Sequence, residues 1–559
     1  MRQAFIGVDV GTASARAGIF DETGTLLATA RHPITIWHEA GDIVEQSSDD
    51  IWEACVRSVR AAMAQAGLAG GEVRGLGFDA TCSLVVLDAA ARPLSVSLSG
   101  DPRRNVIVWM DHRAIGEARE INATQDEVLR YVGGVISPEM ETPKLLWLKR
   151  HLPTTYHSAG HFFDLADYLS FRATGSAARS LCTLTCKWTY LAHERRFSRG
   201  YFERIGLAEL AADGWARIGN EIVEPATALG NGLSAEAASE LGLTRGTPVG
   251  ASLIDAHAGG VGTIGGASAD GEPVDVLDRL AYIMGTSACI MASTAEPRFV
   301  PGVWGPYYSG MIPRLWLNEG GQSAAGAGID HLVRSHPAHA AALVAARACG
   351  VELLEFLEQR AVSRFSTPGK AAWLARDVHV LPEFLGNRSP YADPDARAVI
   401  AGLNLDDDLD SLTRLFVAGL CGLAYGLADV VDAMRAQGIP CGLMVISGGA
   451  SRSPLVRQIM ADTTGLTVAL PTSSEPVLLG SAILGAAASS TYGSITEAMR
   501  SMSRIGGVTG PTDDRAASFH AQKRRVYGLL RRMDGESRAL MGEAGLASFS
   551  AAREAPGGW

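Results

Sequence analysis

FIGVDVGTASARAGIFD, residues 5–21, sets a Gly-Thr-x-Ser turn between two apolar runs. Glycine, threonine and serine are the residues of a phosphate grip, yet no lysine accompanies them. The chain runs back into an apolar strand rather than on into a helix. Gly11 permits the tight turn, Thr12 and Ser14 offer hydroxyls, and successive N–H groups can form a concave nest for an anion. Asp9 would repel a phosphate unless Mg²⁺ sits between them, directly or through water. Taken alone, the stretch also reads as an ordinary hairpin with a solvated aspartate.

Outward from this turn the pattern is that of an α/β fold. FIGVDV, ARAGIF and TLLATA, bent at Gly11 and Gly24, predict an antiparallel meander. Residues 49–67 have helical spacing with acidic residues in the first turn, and VRGLGFD and the hairpin CSLVVLDAAARPLSV follow. A second copy of the opening begins near residue 279, where RLAYIMGTSACIMAS repeats the Gly-Thr turn between apolar runs. Helical patterns cover 321–334, 338–360 and 411–437, the last with Gly419, Gly422 and Gly426 for a close neighbour. GLMVIS, a glycine turn, SPLVRQIMADTTG, LTVALP and VLLGSAILGAAAS complete the second half. The expected units are 1–266, 270–500 and a helical, charge-rich tail 501–559 that packs on the second unit.

A length of 559 residues suits several domains, and 47% hydrophobic with 19% charged residues suits a globular enzyme. A net charge of −11 argues against a nucleic-acid binder, since phosphate backbones require a basic face. The apolar run 415–428 falls short of the roughly 18 residues of a membrane span, and the N-terminus enters a strand without a signal segment. Eight sparse cysteines suit a reducing compartment, so the expected location is cytoplasmic, with no membrane partner. Cys182 and Cys186 have the spacing of half a metal site, but no second pair or histidine cluster answers them in the sequence, and they read as ordinary thiols.

Neither GxxxxGK[ST] nor a GxGxxG after a strand is present, which removes the phosphate loop and the dinucleotide fold. Two hairpins, at Gly11-Thr12 and at Gly285-Thr286, are left to grip phosphates. The flat Gly448-Gly449-Ala450 surface leaves room for a planar ring, or is a plain strand-to-helix turn capped by Ser451 or Ser453. Asp79, Thr81, Cys82 and Ser83 form a polar cluster at a strand end, where α/β folds bind ligands. Asp111, after the apolar run VIVWM, is a further candidate for a ligand contact, or a salt-bridge partner of Arg113 or Lys144. His257 and His112 read as packed more readily than as ligand contacts. Trp37 and Trp304 read as core, with the cleft as the other reading.

Together these stretches resemble the FGGY carbohydrate kinases over residues 4–500. TPKLLWLKR (142–150), PEFLGNRSPYADPDAR (382–397) and SGGASRSPLVRQIMADTTG (447–465) extend the similarity. GFDATCSLVVLD (77–88), WMDHRA (109–114) and SLIDAHAGGVG (252–262) look most like the pentulose kinases, the D-ribulokinase branch in particular. The resemblance implies two actin/hexokinase-like (ribonuclease H-like) domains with an interdomain cleft. It also implies phosphoryl transfer from ATP, with Mg²⁺, to a pentulose hydroxyl and, loosely, a homodimer.

On the same resemblance Asp255 is the general base, ionised at a helix N-terminus. Asp9, Gly11, Thr12, Gly285 and Thr286 hold phosphates, with Asp9 the residue toward Mg²⁺. Gly326 lies near the ribose or phosphates, and Gly449 and Ala450 face adenine. Asp79, Thr81, Cys82, Ser83 and Asp111 are the expected sugar contacts beside Asp255. Arg452 stands where many members have asparagine, a departure on the adenine side. L-Ribulose, D-xylulose, ribitol and erythritol are competing substrates. A non-catalytic ATPase switch of the actin and chaperone type is a competing class, which has no need of the Asp255 motif or the 79–83 loop.

Overall fold

The chain reverses at Gly11 as the apolar–turn–apolar pattern requires. Strand Ala4–Val10 pairs antiparallel with Ser14–Asp21, which pairs antiparallel with Leu26–Pro33. This computed structural model describes residues 3–267 and 274–543. Helix Ser48–Ala66 follows the meander, capped by the Ser47 side chain and ended by Gly67 in the left-handed region (φ 65°). Its buried face covers the meander and leads to Val73–Ala80, parallel to the first strand. Val249–Ile254 adds outside it, again parallel. These five strands form sheet I.

Sheet II repeats that order. Arg279–Met284 and Ala288–Thr294 form the second hairpin, Trp316–Gln322 extends it, and Leu443–Ser447 and Thr467–Pro471 add in parallel on the other side. Trp304–Tyr308 and Ile505–Thr509 lengthen the two edges. The duplicated strand order makes two actin/hexokinase-like lobes around one cleft, as the resemblance implied.

Several sequence expectations shift. Leu84–Asp88 does not form a simple hairpin; it joins Val106–Ile107 and Ala159–Asp164 in a separate five-stranded sheet. The helix expected from 321 starts at Gly326, because Trp316–Gln322 is consumed by sheet II. The pattern at 338–360 breaks at Gly350 (φ 69°) into helices His339–Cys349 and Leu353–Val362. The apolar run near 415 belongs to a longer helix, Leu409–Ala436, which is long and apolar enough to cross a membrane. In the fold 89% of its apolar window is buried as the core of the second lobe.

Two helices cross between the lobes. Asp255–Ile264 follows the last strand of sheet I and packs against the second hairpin. Pro476–Ala488, from the end of the second unit, packs on sheet I. Their contact is close enough that a β-carbon on Gly480 would lie 1.8 Å from the Ala258 carbonyl oxygen. Helix Asp514–Glu543 lies on the second lobe. Residues 268–273, where the unit boundary was drawn, and 544–559 of the tail lie outside the described residues.

Candidate active site

The two hairpins and the start of helix Asp255–Ile264 face one another across a cleft of about 300 Å³. Its lining includes Asp9, Gly11, Thr12, Thr81, Cys82, Asp255, Gly285 and Thr286. Each hairpin closes through its glycine, Gly11 N–H donating to the Ser14 carbonyl (3.1 Å) and Gly285 N–H to that of Ser287 (2.9 Å). Those glycine donors are therefore spent. Among the described residues, the N–H groups of Thr12, Ala13, Thr286 and Ser287 have no protein acceptor, so a nest for anions remains in both turns. The Thr12 hydroxyl accepts from the Trp109 indole (3.0 Å), which fixes its rotamer.

Other residues read from sequence stand behind the cleft. Asp79 is fully buried opposite Asp9 in the strand register, and its carboxylate accepts from the Ser481 hydroxyl. Burial first, then the Asp9 charge, pushes it well above the usual carboxylate range. Ser83 is buried and accepts from Trp109 N–H (3.1 Å). Asp111 is fully buried in the ion pair that was the other reading of its motif. Its Oδ1 accepts from Arg113 Nε (2.9 Å), its Oδ2 from Arg113 Nη2 (2.7 Å) and Val44 N–H (2.6 Å). Trp109, two residues earlier, is the residue of that motif that reaches the cleft. Gly326 seats its helix behind the second hairpin, donating to the Gly285 carbonyl (3.0 Å). Gly448 backs onto the Met284 carbonyl, while Gly449 is exposed with open space above it and Ala450 is half-buried.

With this geometry in hand, the relatives are informative. Residues 4–262 match the N-terminal domain, and 280–489 the C-terminal domain, of the FGGY family of carbohydrate kinases. The chain belongs to that family. An FGGY carbohydrate kinase domain-containing protein of Homo sapiens is 47% identical over 91% of this chain and 92% of its own length. A D-ribulokinase of Saccharomyces cerevisiae is 37% identical over 87% of this chain and 72% of its own. Among solved structures, a xylulose kinase from Brucella ovis superposes with a TM-score of 0.76 at 23% identity, covering 95% of this chain and 99% of that one. This FGGY protein is thus a sugar kinase, a phosphotransferase to an alcohol group.

Sequence reasoning missed the charged residues of the cleft. Arg16 donates through Nε to Asp9 (2.9 Å) and through Nη1 to Glu475 (2.8 Å). It lies directly across the hairpin from Asp9, so strand pairing was the signal that could have found it. Lys187 ends helix Leu181–Lys187, is 3% exposed, and has no hydrogen-bond partner among the described residues. Its ammonium sits 4.5 Å from the centre of the Trp304 ring, which lines the cleft. Burial works to lower this ammonium, and Cys82 and Glu319 hold it well above its ordinary value. Glu319, in turn, is drawn down against burial to about 2 by Lys187 and His257. Arg388 and Glu139 meet from opposite lobes at 3.5 Å. Lys187 is one of five lysines in a chain of 44 arginines, a rarity that marks it.

His257 is packed, as its sequence reading favoured: Nε2 faces Glu319 (3.2 Å) and Nδ1 faces Cys182 Sγ and the Gly310 carbonyl (both 3.1 Å). It supplies the histidine that the sequence did not place beside Cys182 and Cys186. Trp37 stays outside the cleft lining, stacked under Arg104 (5.1 Å).

Asp255 is the first residue of its helix, and its Oδ1 accepts from Ala256 N–H (2.7 Å). Among the described residues its Oδ2 has no partner, and the residue lines the cleft. Burial, then the Asp9 charge, raises its pKa to about 6. The helix N-terminus alone would favour the carboxylate, so burial together with the Asp9 charge outweighs it.

Proposed function

We propose that this protein transfers the terminal phosphoryl group of ATP to a hydroxyl of D-ribulose, giving D-ribulose 5-phosphate, with Asp255 as general base. The observation that carries the reading is Asp255 itself. It is a cleft-facing carboxylate with a free oxygen, tuned to about 6, between two phosphate-gripping hairpins. The preference for D-ribulose rests on the 37% identity to the yeast D-ribulokinase.

The chain's own groups divide the work. Thr12, Ala13, Thr286 and Ser287 present N–H donors to the phosphates, and Gly449 and Ala450 leave space for adenine. Lys187, Glu319 and Trp304 offer the sugar a cation, a carboxylate and a ring face. The reacting hydroxyl gives its proton to Asp255 Oδ2 as its oxygen bonds to phosphorus and the bond to ADP breaks. In a loose transition state, positioning and charge neutralisation supply most of the acceleration. Asp9, an oxygen donor crowded by two further carboxylates and paired with Arg16, suits Mg²⁺, directly or through water. Bound there, the ion would neutralise phosphate charge. All eight cysteines are free thiols, which suits the cytoplasmic location we propose.

The test is ADP formation with MgATP against D-ribulose, L-ribulose, D-xylulose, ribitol, erythritol and glycerol. The highest kcat/KM with D-ribulose is the expected result. A higher value with another sugar reassigns the substrate, and ADP release indifferent to every sugar overturns the pentulose reading and places the acceptor outside this panel.

A further inference from the structure

We propose that the C-terminal helix Asp514–Glu543 is a clamp that positions Arg388 in the cleft, so that a remote tail sets how well the sugar is held. This rests on the reading that the cleft takes the sugar. The segment Pro382–Arg397 has almost no regular structure to fix it, yet it carries Arg388 to the junction of the lobes. There the guanidinium lies 3.5 Å from Glu139 of the first lobe, 5.3 Å from the Trp304 ring and 3.9 Å from Cys289 Sγ. A tip bearing one partly buried cation between two lobes needs a rigid base.

The tail helix supplies that base along its length. The buried Tyr527 donates its hydroxyl to Glu383 Oε1 (3.4 Å), and the same oxygen accepts from Asn387 Nδ2 (2.7 Å). Asn387 Oδ1 accepts from Tyr391 N–H (3.0 Å), closing the turn that holds Arg388. One helical turn on, the Arg531 guanidinium covers the Tyr391 ring at 3.4 Å. Two turns further, Arg538 donates to Asp393 (2.6 Å), and Asp534 accepts from Arg397 N–H (3.3 Å). The helix is anchored independently of the segment by Lys523 on the Val378 carbonyl (2.6 Å), and Arg524 holds Asp429 (3.0 Å), whose other oxygen accepts from the Tyr391 hydroxyl (2.9 Å). Contacts thus reach the segment at its start, its turn and its end, while Arg388 itself touches none of the helix residues named. Tyr527, Asp534 and Arg538 act through Arg388 and are positioning residues.

The experiment is a pair of double-mutant cycles in the full chain, Tyr527→Phe and Arg538→Met, each with and without Arg388→Ala. Each lost bond is expected to raise the sugar KM about 3- to 10-fold. The expected kcat and ATP KM stay within about twofold, since neither chemistry nor nucleotide contacts change. In the Arg388→Ala background the same substitutions should add nothing, a result that simple destabilisation would not give. An unchanged KM, or an equal effect in both backgrounds, overturns the clamp. Amide exchange of 382–397 without substrate is the second readout, expected to quicken in both variants, and unchanged exchange overturns the clamp as well. Quickened exchange with no sugar turned over would uphold the clamp and sink the pentulose reading instead. Should Tyr527→Phe fail to fold, Asp534→Asn replaces it in the same cycle.

Discussion

Replacing Asp255 by asparagine keeps the side chain's volume and its Ala256 hydrogen bond while removing the base. A positioned base contributes about 10²–10⁴-fold, so kcat should fall by that much while the sugar KM moves little. The same carboxylate sets a pH profile. With a pKa of about 6, the free enzyme holds roughly ten carboxylates to each acid at pH 7, and the ratio inverts at pH 5. The limb of kcat/KM below pH 6 should therefore drop about tenfold per pH unit.

Stability moves the other way. A carboxyl whose pKa is raised on folding binds its proton more tightly in the native state. Its contribution to stability is present below the unfolded value near 4 and is lost as pH rises through about 6. At pH 7 the charge is a cost bounded at about 3 kcal/mol, and partial opening to the cleft reduces it. Asp255→Asn should thus unfold at the same or a higher temperature than the parent at pH 7, with the gap shrinking toward pH 4. Rates across pH 5–8 and thermal melts of both proteins decide this. A near-normal rate in the folded variant, or a profile flat to pH 5, would refute the assignment.

Lys187→Met should raise the sugar KM about 10- to 100-fold with little change in the ATP KM, because a buried ammonium that faces the cleft with no hydrogen-bond partner among the described residues is worth a charge-assisted hydrogen bond to a sugar hydroxyl. Steady-state kinetics with each substrate varied in turn check it. Gly480→Ala gains about 1 kcal/mol of helix propensity but drives a methyl to 1.8 Å from the Ala258 carbonyl. The oxygen belongs to a helix backbone and cannot swing aside, so a net loss of stability of at least about 1–3 kcal/mol is expected in denaturant titration. Chelation of Mg²⁺ should abolish ADP formation and readdition restore it, read in the same coupled assay.

The two hairpins proposed to grip phosphates were legible because each is made by local sequence. Gly11-Thr12 and Gly285-Thr286 sit in three-residue connections between apolar strands, and turn chemistry of that kind is written in consecutive residues. The antiparallel meander and its second copy near residue 279 were legible in the same way, whereas the strands that add in parallel to each sheet arrive from distant segments. The charged end of the cleft, where we propose that the sugar sits, was not legible, because tertiary contact makes it. Lys187, Glu319, Arg388 and Glu139 come from four separate segments, and no spacing links them. Asp111 looked exposed to a ligand because it follows an apolar run, whereas Arg113 two residues on takes both its oxygens. The helix Pro476–Ala488 carried no mark that it would pack on sheet I, although its glycines, and Gly7, Gly75 and Gly77 facing it, are the residues such an approach demands.

The placement of charge then follows a consistent logic. Around the first hairpin stand Asp9, Asp79, Asp255 and Glu475, answered among the cleft residues by Arg16. A bare ATP polyanion entering there, as we propose, would meet net negative charge, which a divalent cation on the Asp9 side would offset. At the other end stand Lys187 and Arg388, facing Glu319 and Glu139. A neutral sugar suits that end, because each charge has a countercharge nearby and the remaining donors and acceptors are free for hydroxyls. Burial, with the Asp9 charge beside it, raises Asp255 toward neutrality, where a carboxylate both ionises and accepts a proton readily. Introducing Mg²⁺ there would lower the Asp255 pKa again, so the acidic limb of kcat with both substrates saturating should lie below that of the free enzyme's kcat/KM. Coincident limbs would mean that the ion's charge does not reach Asp255, and the arrangement argued from Asp9 would have to be redrawn.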